Sequence, residues 1–180
     1  MDPERVERAR SGDPSAFEAL VEPRVGPMMR TAMAILDSEA DARDAVQDAL
    51  VMAWRELAAL RDPGAFDVWL LRILVNRCKR RLRGTAARRA REVSVGAVAS
   101  TPREPARPDG AAALLDRRAL ERAFARLSVD ERTLLVLHHL DGRSVAEIAA
   151  ALKVPVGTAK SRLSAARRAL EKALGREDVR

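Results

Sequence analysis

Residues 153–168, KVPVGTAKSRLSAARR, combine small side chains with cations and include no carboxylate and no aromatic ring. At the start of a helix, small residues let the backbone approach phosphates and base edges, while Lys and Arg neutralise phosphates or donate to guanine. The segment therefore predicts a helix that binds nucleic acid; an ordinary surface helix rich in Lys and Arg is the alternative. The side chains predicted to contact DNA are Thr158, Lys160, Ser161, Arg162, Ser164, Arg167 and Arg168.

A second cationic block lies in the middle of the chain. Residues 77–91, RCKRRLRGTAARRAR, contain eight cations and no acid, in a chain of 180 residues with net charge +7. One such block alone is typical of a solvated tail, but two blocks favour a polyanionic partner.

An acidic stripe precedes the second block. Asp44, Gln47, Asp48 and Val51 recur at three- and four-residue steps, beside the apolar positions of the same predicted helix. The stripe is either a solvated acidic face or a surface for a protein partner. The residues by themselves leave both interpretations open.

Other kinds of site fail on spacing. GTAKS, residues 157–161, resembles part of a phosphate-binding loop, but no glycine directly precedes Lys160 and no strand is predicted before it. His138 and His139 are adjacent, so on one helix they point in different directions, and no Cys or acidic cluster completes a metal site. We therefore expect no metal, no cofactor and no enzymatic centre.

The single cysteine, Cys78, has no partner within the chain, which favours a reducing compartment. No run of about 18 apolar residues predicts a membrane helix, and the N-terminus lacks the apolar region of a signal peptide. The sequence therefore predicts a soluble cytoplasmic protein without membrane insertion.

The elements that must position these residues are predicted to be helices, because the composition is rich in Ala and Leu and only 3% aromatic. Asp13 and Pro14 are typical of a helix start. The breakers Pro23 and Pro27 predict that this helix ends and that a second one begins near Met28.

The third predicted helix carries the acidic stripe, and its inward face consists of Ala42, Ala45, Val46, Ala49, Ala53, Trp54 and Leu57. The loop LRDPGAF, residues 60–66, ends this helix. The next helix begins apolar, with Phe66, Trp69, Leu70 and Ile73 predicted to pack inward. Its far end carries the second cationic block.

The C-terminal part contains two capping boxes, Ser128 with Glu131 and Ser144 with Glu147, and a stop at Gly142. A short helix, a tight turn and a longer basic helix follow in the order of a helix-turn-helix, in which the second helix enters the major groove. Residues 92–112 contain three prolines and two glycines without a regular period, and predict a flexible linker. The predicted fold is all-α, with helical domains at residues 1–91 and 113–180.

Five motifs then occur in a fixed order: SGDPSAFEALV, DARDAVQDALVMAWREL, FDVWLLRILVNRCKRRLR, LSVDERTLLVLHHLDGRSVAEIAAAL and VPVGTAKSRLSAARRAL. In order and approximate spacing they resemble the extracytoplasmic-function group of bacterial sigma-70 factors, over nearly everything except the linker. The resemblance implies a sigma-2-like and a sigma-4-like domain in a non-enzymatic subunit of RNA polymerase. It also implies core polymerase as a partner, through the beta-prime clamp and the beta flap, and promoter DNA, single-stranded at minus-10 and duplex at minus-35. An anti-sigma factor is a further partner that the resemblance allows.

The same resemblance implies roles for single residues. Asp44, Gln47 and Asp48 match the patch that meets the beta-prime clamp. The capture loop, residues 60–66, resembles the loop that holds a flipped minus-10 base. The minus-10 residues would be Arg61, Asp62 and Phe66 of this loop, Asn76 beside it, and Arg77, Arg80 and Arg83 along the opened strand.

Three departures limit this transfer. Ala165 stands where relatives often carry an arginine or another large residue on the recognition helix, so base preference at minus-35 does not carry over from a relative. Relatives often carry Tyr at the position of Leu71 and an aromatic residue at that of Leu60, so any stacking platform is weaker here. A stand-alone helix-turn-helix regulator remains the alternative function.

Overall fold

The computed structural model describes residues 3–92 and 111–175; for residues 85–92 and 111–116 it describes the helical backbone alone. These residues form no strand, so the predicted all-α fold is confirmed for the described part of the chain. The helices are α1 (Pro3–Arg10), α2 (Pro14–Leu36), α3 (Glu39–Glu56), α4 (Phe66–Glu92), α5 (Ala111–Ala125), α6 (Val129–Leu135), α7 (Val145–Leu152) and α8 (Val156–Gly175).

Helix α1 was not predicted, because its sequence PERVERAR has only two apolar residues in eight. Those two, Val6 and Ala9, are both buried and attach the helix to the first core. The start of α2 is confirmed: the Asp13 carboxylate accepts a hydrogen bond from the Ala16 amide at 3.1 Å, and Pro14 follows at the first helical position.

Helix α2 runs without interruption through Pro23 and Pro27, so the predicted break and the separate second helix are wrong. A proline inside a helix removes one backbone donor and frees the carbonyl four residues earlier. Both prolines are exposed, on the outer side of the helix, where water can satisfy such groups. The opposite face, with Leu20 and Ile35, is buried, and this packing outweighs the local cost of the prolines.

Six of the seven residues predicted to face inward are buried, five in α3 and Leu57 in the 3-10 turn that follows it, and Trp54 is the exception. Its side chain is 38% exposed and packs edge-on against Phe17, with ring centroids 5.1 Å apart. Ala53 takes the inward position, and the next residue lies about 100° around the helix. Trp54 therefore shields the edge of the core.

The predicted signals of the C-terminal part are confirmed. Both capping boxes are present, at Ser128 and at Ser144. A π-helical turn, Val136–Leu140, follows α6, and Gly142 (φ 66°) leaves it in the left-handed region. Lys153 (φ 54°) makes the tight turn from α7 to α8, which completes the helix-turn-helix.

The helices form two groups, α1–α4 and α5–α8, each with its own apolar cluster. The predicted linker begins and ends inside helices, since residue 92 belongs to α4 and residues 111–112 to α5; residues 93–110 lie outside the described residues. Leu71 and Val75 of α4 pack with the second group's cluster, so the two groups share an apolar contact.

Polar contacts also join the two groups. They are a hydrogen bond from Thr31 Oγ1 to Asp141 Oδ2 (2.8 Å), one from Arg132 Nη1 to the Ile35 carbonyl (3.0 Å), and an ion pair between Lys79 Nζ and Asp130 Oδ1 (2.7 Å). We call this set, with the apolar contact of Leu71 and Val75, the group interface.

Candidate nucleic-acid and partner interfaces

The capture loop, residues 60–66, follows the 3-10 turn Leu57–Ala59 and contains a second 3-10 turn, Pro63–Ala65. Asp62 starts the second turn, where its Oδ1 accepts a hydrogen bond from the Gly64 amide at 2.9 Å. Because this carboxylate fixes the turn, the loop keeps its shape without a ligand.

Phe66 supports the loop from beneath. Its ring is fully buried, 5.8 Å from the ring of Trp69, and the Arg24 guanidinium lies 5.3 Å from its centroid. The periodicity had predicted this inward packing, and the structure contradicts the additional prediction that Phe66 contacts DNA. Apolar burial of a phenyl ring is worth more than an exposed position on a loop.

A cavity of about 480 Å³ lies beside the loop. We call it the base cavity, because its lining combines apolar walls with two cations. It is lined by Glu56, Ala59, Leu60, Arg61, Ala65, Val68, Trp69, Arg72 and Ala150. Arg61 of the capture loop lines the cavity, whereas Asn76, which was predicted to lie beside a bound base, does not. Arg72 was not predicted as a site residue, because it lies between residues that the sequence pattern assigns to the core.

Arg72 begins a row of polar side chains along α4. Arg72, Asn76, Arg80 and Arg83 recur at steps of four and three, so they share one side of the helix. Arg72 is half-buried and the other three are exposed. The row extends from the base cavity for about 16 Å, at roughly 1.5 Å per residue. A cavity that continues into a line of cations suits a strand with one base turned out.

The acidic stripe, on α3, faces a different side of α4 from the side that carries this row. Asp44, Gln47 and Asp48 are exposed as predicted, and they border a cavity of about 330 Å³ together with Arg77 and Arg81. Arg77 therefore lies at the acidic stripe and not in the row, which separates it from the other predicted minus-10 residues.

Arg81 holds the stripe together. Its guanidinium is 3.4 Å from Asp41, 3.0 Å from Asp44 and 3.4 Å from Asp48. The Asp44 and Asp48 side chains keep exposures of 58% and 52%, so each can still meet a partner. Arg81 thus fixes the rotamers of the acids before a partner arrives. Arg55 and Arg77 also border the cavity, so the acids alternate with cations.

Helix α8 separates its two faces as predicted. Ala159, Leu163 and Ala166 are buried against the second group. Thr158 is half-buried, and the other predicted contact residues are exposed: Lys160, Ser161, Arg162, Ser164, Arg167 and Arg168. The exposed face of α8 therefore presents small residues and cations, and a DNA major groove is wide enough to admit such a helix.

Two of these cations are anchored. Arg168 Nη1 donates to Ser164 Oγ at 2.9 Å, one turn earlier, and Arg167 Nε donates to His139 Nε2 at 3.4 Å. Burial lowers the pKa of His139, and the charges of His138 and Arg167 act in the same direction. The His139 ring therefore stays neutral and can accept this bond.

No group of three His, Cys, Asp or Glu residues among the described residues is placed to hold a metal ion. Cys78 is fully buried, and burial raises the pKa of its thiol to about 12, so it stays protonated at neutral pH. Every helix in the described ranges is too short or too polar to cross a bilayer.

Two family models match the chain, one to each helical group. Residues 20–88 match the model described as Sigma-70 region 2, and residues 117–170 match the model described as Sigma-70, region 4. The first match contains the acidic stripe, the capture loop and the α4 row, and the second contains α6, α7 and most of α8.

Several relatives match over most of the chain. The chain is 33% identical over 187 residues to the RNA polymerase sigma-H factor of Pseudomonas aeruginosa, covering 97% of this chain and 94% of the relative. It is 35% identical over 167 residues to the ECF RNA polymerase sigma factor SigM of Mycobacterium tuberculosis, covering 92% and 80%. Among solved structures, the sigma factor RpoE of Bartonella quintana, in complex with the anti-sigma factor NepR, is similar with a TM-score of 0.68, 27% identity and coverage of 88% and 96%.

Proposed function

Because this chain belongs to the extracytoplasmic-function group of bacterial sigma-70 factors, we propose that its two helical groups divide the work of promoter recognition. As a sigma factor it binds core RNA polymerase and directs promoter-specific initiation of transcription. The first domain, residues 1–91, carries the polymerase and minus-10 surfaces, and the second, residues 113–180, carries the minus-35 surface, with 92–112 as a flexible linker. A stand-alone helix-turn-helix regulator accounts only for the second group.

One observation carries the minus-10 assignment: Arg72 both lines the base cavity and begins the row of polar side chains on α4. An extruded base needs a pocket, and the strand on either side of it needs cations for its phosphates. Arg61 and Arg72 border the pocket, and Asn76, Arg80 and Arg83 continue along the strand's path. Asp62 acts through the shape of the loop, and Phe66 acts as its support.

The acidic stripe is the proposed site for the beta-prime clamp of core polymerase. Asp44, Gln47 and Asp48 are exposed and oriented by Arg81, and Arg77 borders the same cavity. Exposed carboxylates held in one conformation suit a cationic helical partner, since pre-organised charges lose little entropy on binding.

Helix α8 is the proposed minus-35 reader. Its exposed face carries Lys160, Arg162 and Arg168 among small residues, as direct readout in a major groove requires. The second domain would also meet the beta flap of polymerase. We further propose that the protein works in the cytoplasm with its polymerase and that an anti-sigma factor restrains it, as the complex of RpoE with NepR suggests by analogy.

The polymerase assignment is tested by reversing two charges. Asp44→Lys with Asp48→Lys is expected to weaken binding of core polymerase by more than about 100-fold, since like charges across an interface cost several kcal/mol. The matched control is Glu18→Lys with Glu22→Lys, an exposed pair with the same spacing on α2. Affinity is measured by fluorescence titration with labelled protein, and circular dichroism monitors the fold. Equal affinities for both double variants would refute the assignment.

A further inference from the structure

Helix α1 packs on both 3-10 turns of the capture-loop region, Leu57–Ala59 and Pro63–Ala65. Helix α3 packs on the first turn and α4 on the second, each being the neighbour of that turn in the chain. Val6 and Ala9 of α1 are buried in the same apolar cluster as Leu60 of the loop. Helix α1 therefore contacts the loop region from outside the α3–α4 connection.

A short connection fixes α1 to α2. The Arg8 guanidinium donates to Asp13 Oδ2, with Nη2 at 2.6 Å and Nε at 3.1 Å. The Asp13 amide donates to the Arg8 carbonyl at 3.2 Å, and Gly12 turns the chain at φ 91°. Asp13 is also the N-cap of α2. One residue therefore anchors the end of α1 and the start of α2 together.

The capture loop has few bonds of its own. Asp62 Oδ1 shapes the second turn through the Gly64 amide, and a backbone bond from the Ala65 amide to the Asp62 carbonyl, 3.0 Å long, closes it. A single 3-10 turn of this kind adds little stability, since its hydrogen-bond geometry is poor. These bonds fix the shape of the turn, but its distance from α4 depends on the elements that pack on it.

The base cavity lies between the loop region and α4. Its lining includes Ala59, Leu60, Arg61 and Ala65 on one side and Val68, Trp69 and Arg72 on the other. None of the described residues that line it belongs to α1. Helix α1 can therefore act on a bound base only through the loop. A displacement of the loop by about 1 Å is enough to spoil the fit of a site that holds a ligand.

We propose that α1 is a positioning element for the base cavity: by packing on both turns it sets the distance between the capture loop and α4, and with it the preference for the captured base. Val6, which is fully buried, is the positioning residue. The inference rests on the proposed minus-10 function of this cavity. The match to Sigma-70 region 2 begins at residue 20, so α1 lies outside it.

The inference is tested with Val6→Ala in the full chain, assembled with core polymerase. The probes are single-stranded oligonucleotides of the minus-10 element of a promoter mapped from genomic fragments, with each base replaced in turn. Discrimination at a position is the ratio of the dissociation constants for the replaced and the natural base. Val6→Ala is expected to reduce discrimination at the captured position at least about threefold, because a loosened loop accepts other bases.

Val21→Ala on α2 is the matched control. It removes the same two methyl groups from the same apolar cluster and should lower the free energy of unfolding, measured in urea, without lowering discrimination. In both variants the affinities for core polymerase and for a minus-35 duplex should change less than about twofold, since sites without shared contacts behave independently. Gly64→Ala calibrates the readout, because its Cβ would come within 3.2 Å of Asp62 Oδ1 and displace the loop from within.

Undiminished discrimination by Val6→Ala, or an equal loss in Val21→Ala, would overturn the inference. If Val6→Ala is too unstable to assemble, Arg8→Glu takes its place: it sets a second carboxylate beside Asp13 and loosens the connection without opening a cavity. Retained discrimination by Arg8→Glu then counts against the inference in the same way. If holoenzyme with the unmodified protein prefers no base at any minus-10 position, the minus-10 assignment itself fails, whatever the variants do.

Discussion

The two proposed DNA surfaces differ in what lies beside them. Helix α8 buries one face within its own group, through Leu163 and Ala166, and leaves the opposite face to solvent. Helix α4 has three occupied sides: the first core, the acidic stripe through Arg81, and the group interface through Leu71 and Val75. Only the narrow row from Arg72 to Arg83 is left for a strand.

This difference follows from the helices' inner faces. A helix with apolar residues at every third or fourth position has one apolar face and needs one packing partner for it. Helix α8 has that partner within its own domain. The first half of α4 is apolar on more than one side, so it must bury surface against two groups of helices. The proposed duplex-binding helix, α8, thus completes its packing within its own domain. The proposed strand-binding helix, α4, also packs on the first core, contacts the acidic stripe and forms part of the group interface.

The largest effect that sharpens this comparison is expected in the α4 row. Arg72→Ala should reduce initiation roughly 10- to 100-fold, corresponding to about 1–3 kcal/mol for a lost contact to a held base.

Asn76→Ala should impair transcription from duplex promoters more than from templates mismatched at minus-10, because the mismatch removes a few kcal/mol of unpairing. Arg118→Ala, an exposed cation on α5, is the control. Equal losses on both templates would make Asn76 structural.

A smaller effect is expected on α8. Lys160→Ala should weaken duplex binding by the full chain and lower the salt slope by about one unit if the side chain meets only phosphate. If it reads a base, discrimination at one minus-35 position should fall by roughly 1–3 kcal/mol. Lys172→Ala, in the last turn of the same helix, is the control. Titrations of promoter and scrambled duplexes at several salt concentrations distinguish the two cases, and unaltered affinity would remove α8 from the groove.

The helices that carry the second surface were mostly predicted, because capping boxes, a glycine stop and a tight turn are local signals. Less of the first surface was predicted. The prolines in α2 indicated a break because their exposure on the outer side cannot be inferred from residue type, and Trp54 was assigned to a core that Ala53 fills. Leu71 and Val75 were not among the residues predicted to pack inward, because periodicity assigned Phe66, Trp69, Leu70 and Ile73 to one core and does not show that a second group of helices covers another side. The group interface and Arg72 followed only from tertiary packing.

The smallest effect concerns pH, and it compares two contacts of the same interface. Burial raises the pKa of Asp141, against the opposing influence of its bond to Thr31 and of Arg143 and Arg30, so the folded protein binds a proton there more readily than the unfolded chain. The contribution of Asp141 to folding stability is therefore complete below the ordinary carboxyl value of about 4 and is lost as the pH rises through the raised value.

Asp130 has the opposite sign. Its bond to Lys79 lowers its pKa, so that contact is present above the ordinary value and is lost as the pH falls through the lowered one. Mild acidification from pH 7 toward about 5 therefore acts through Asp141 alone of these two carboxyls and should modestly raise the free energy of unfolding. Urea unfolding at several pH values measures this free energy, and Asp141→Asn should flatten its dependence on pH. If the variant retains the full dependence, the Thr31–Asp141 contact is not the pH-sensitive part of the interface.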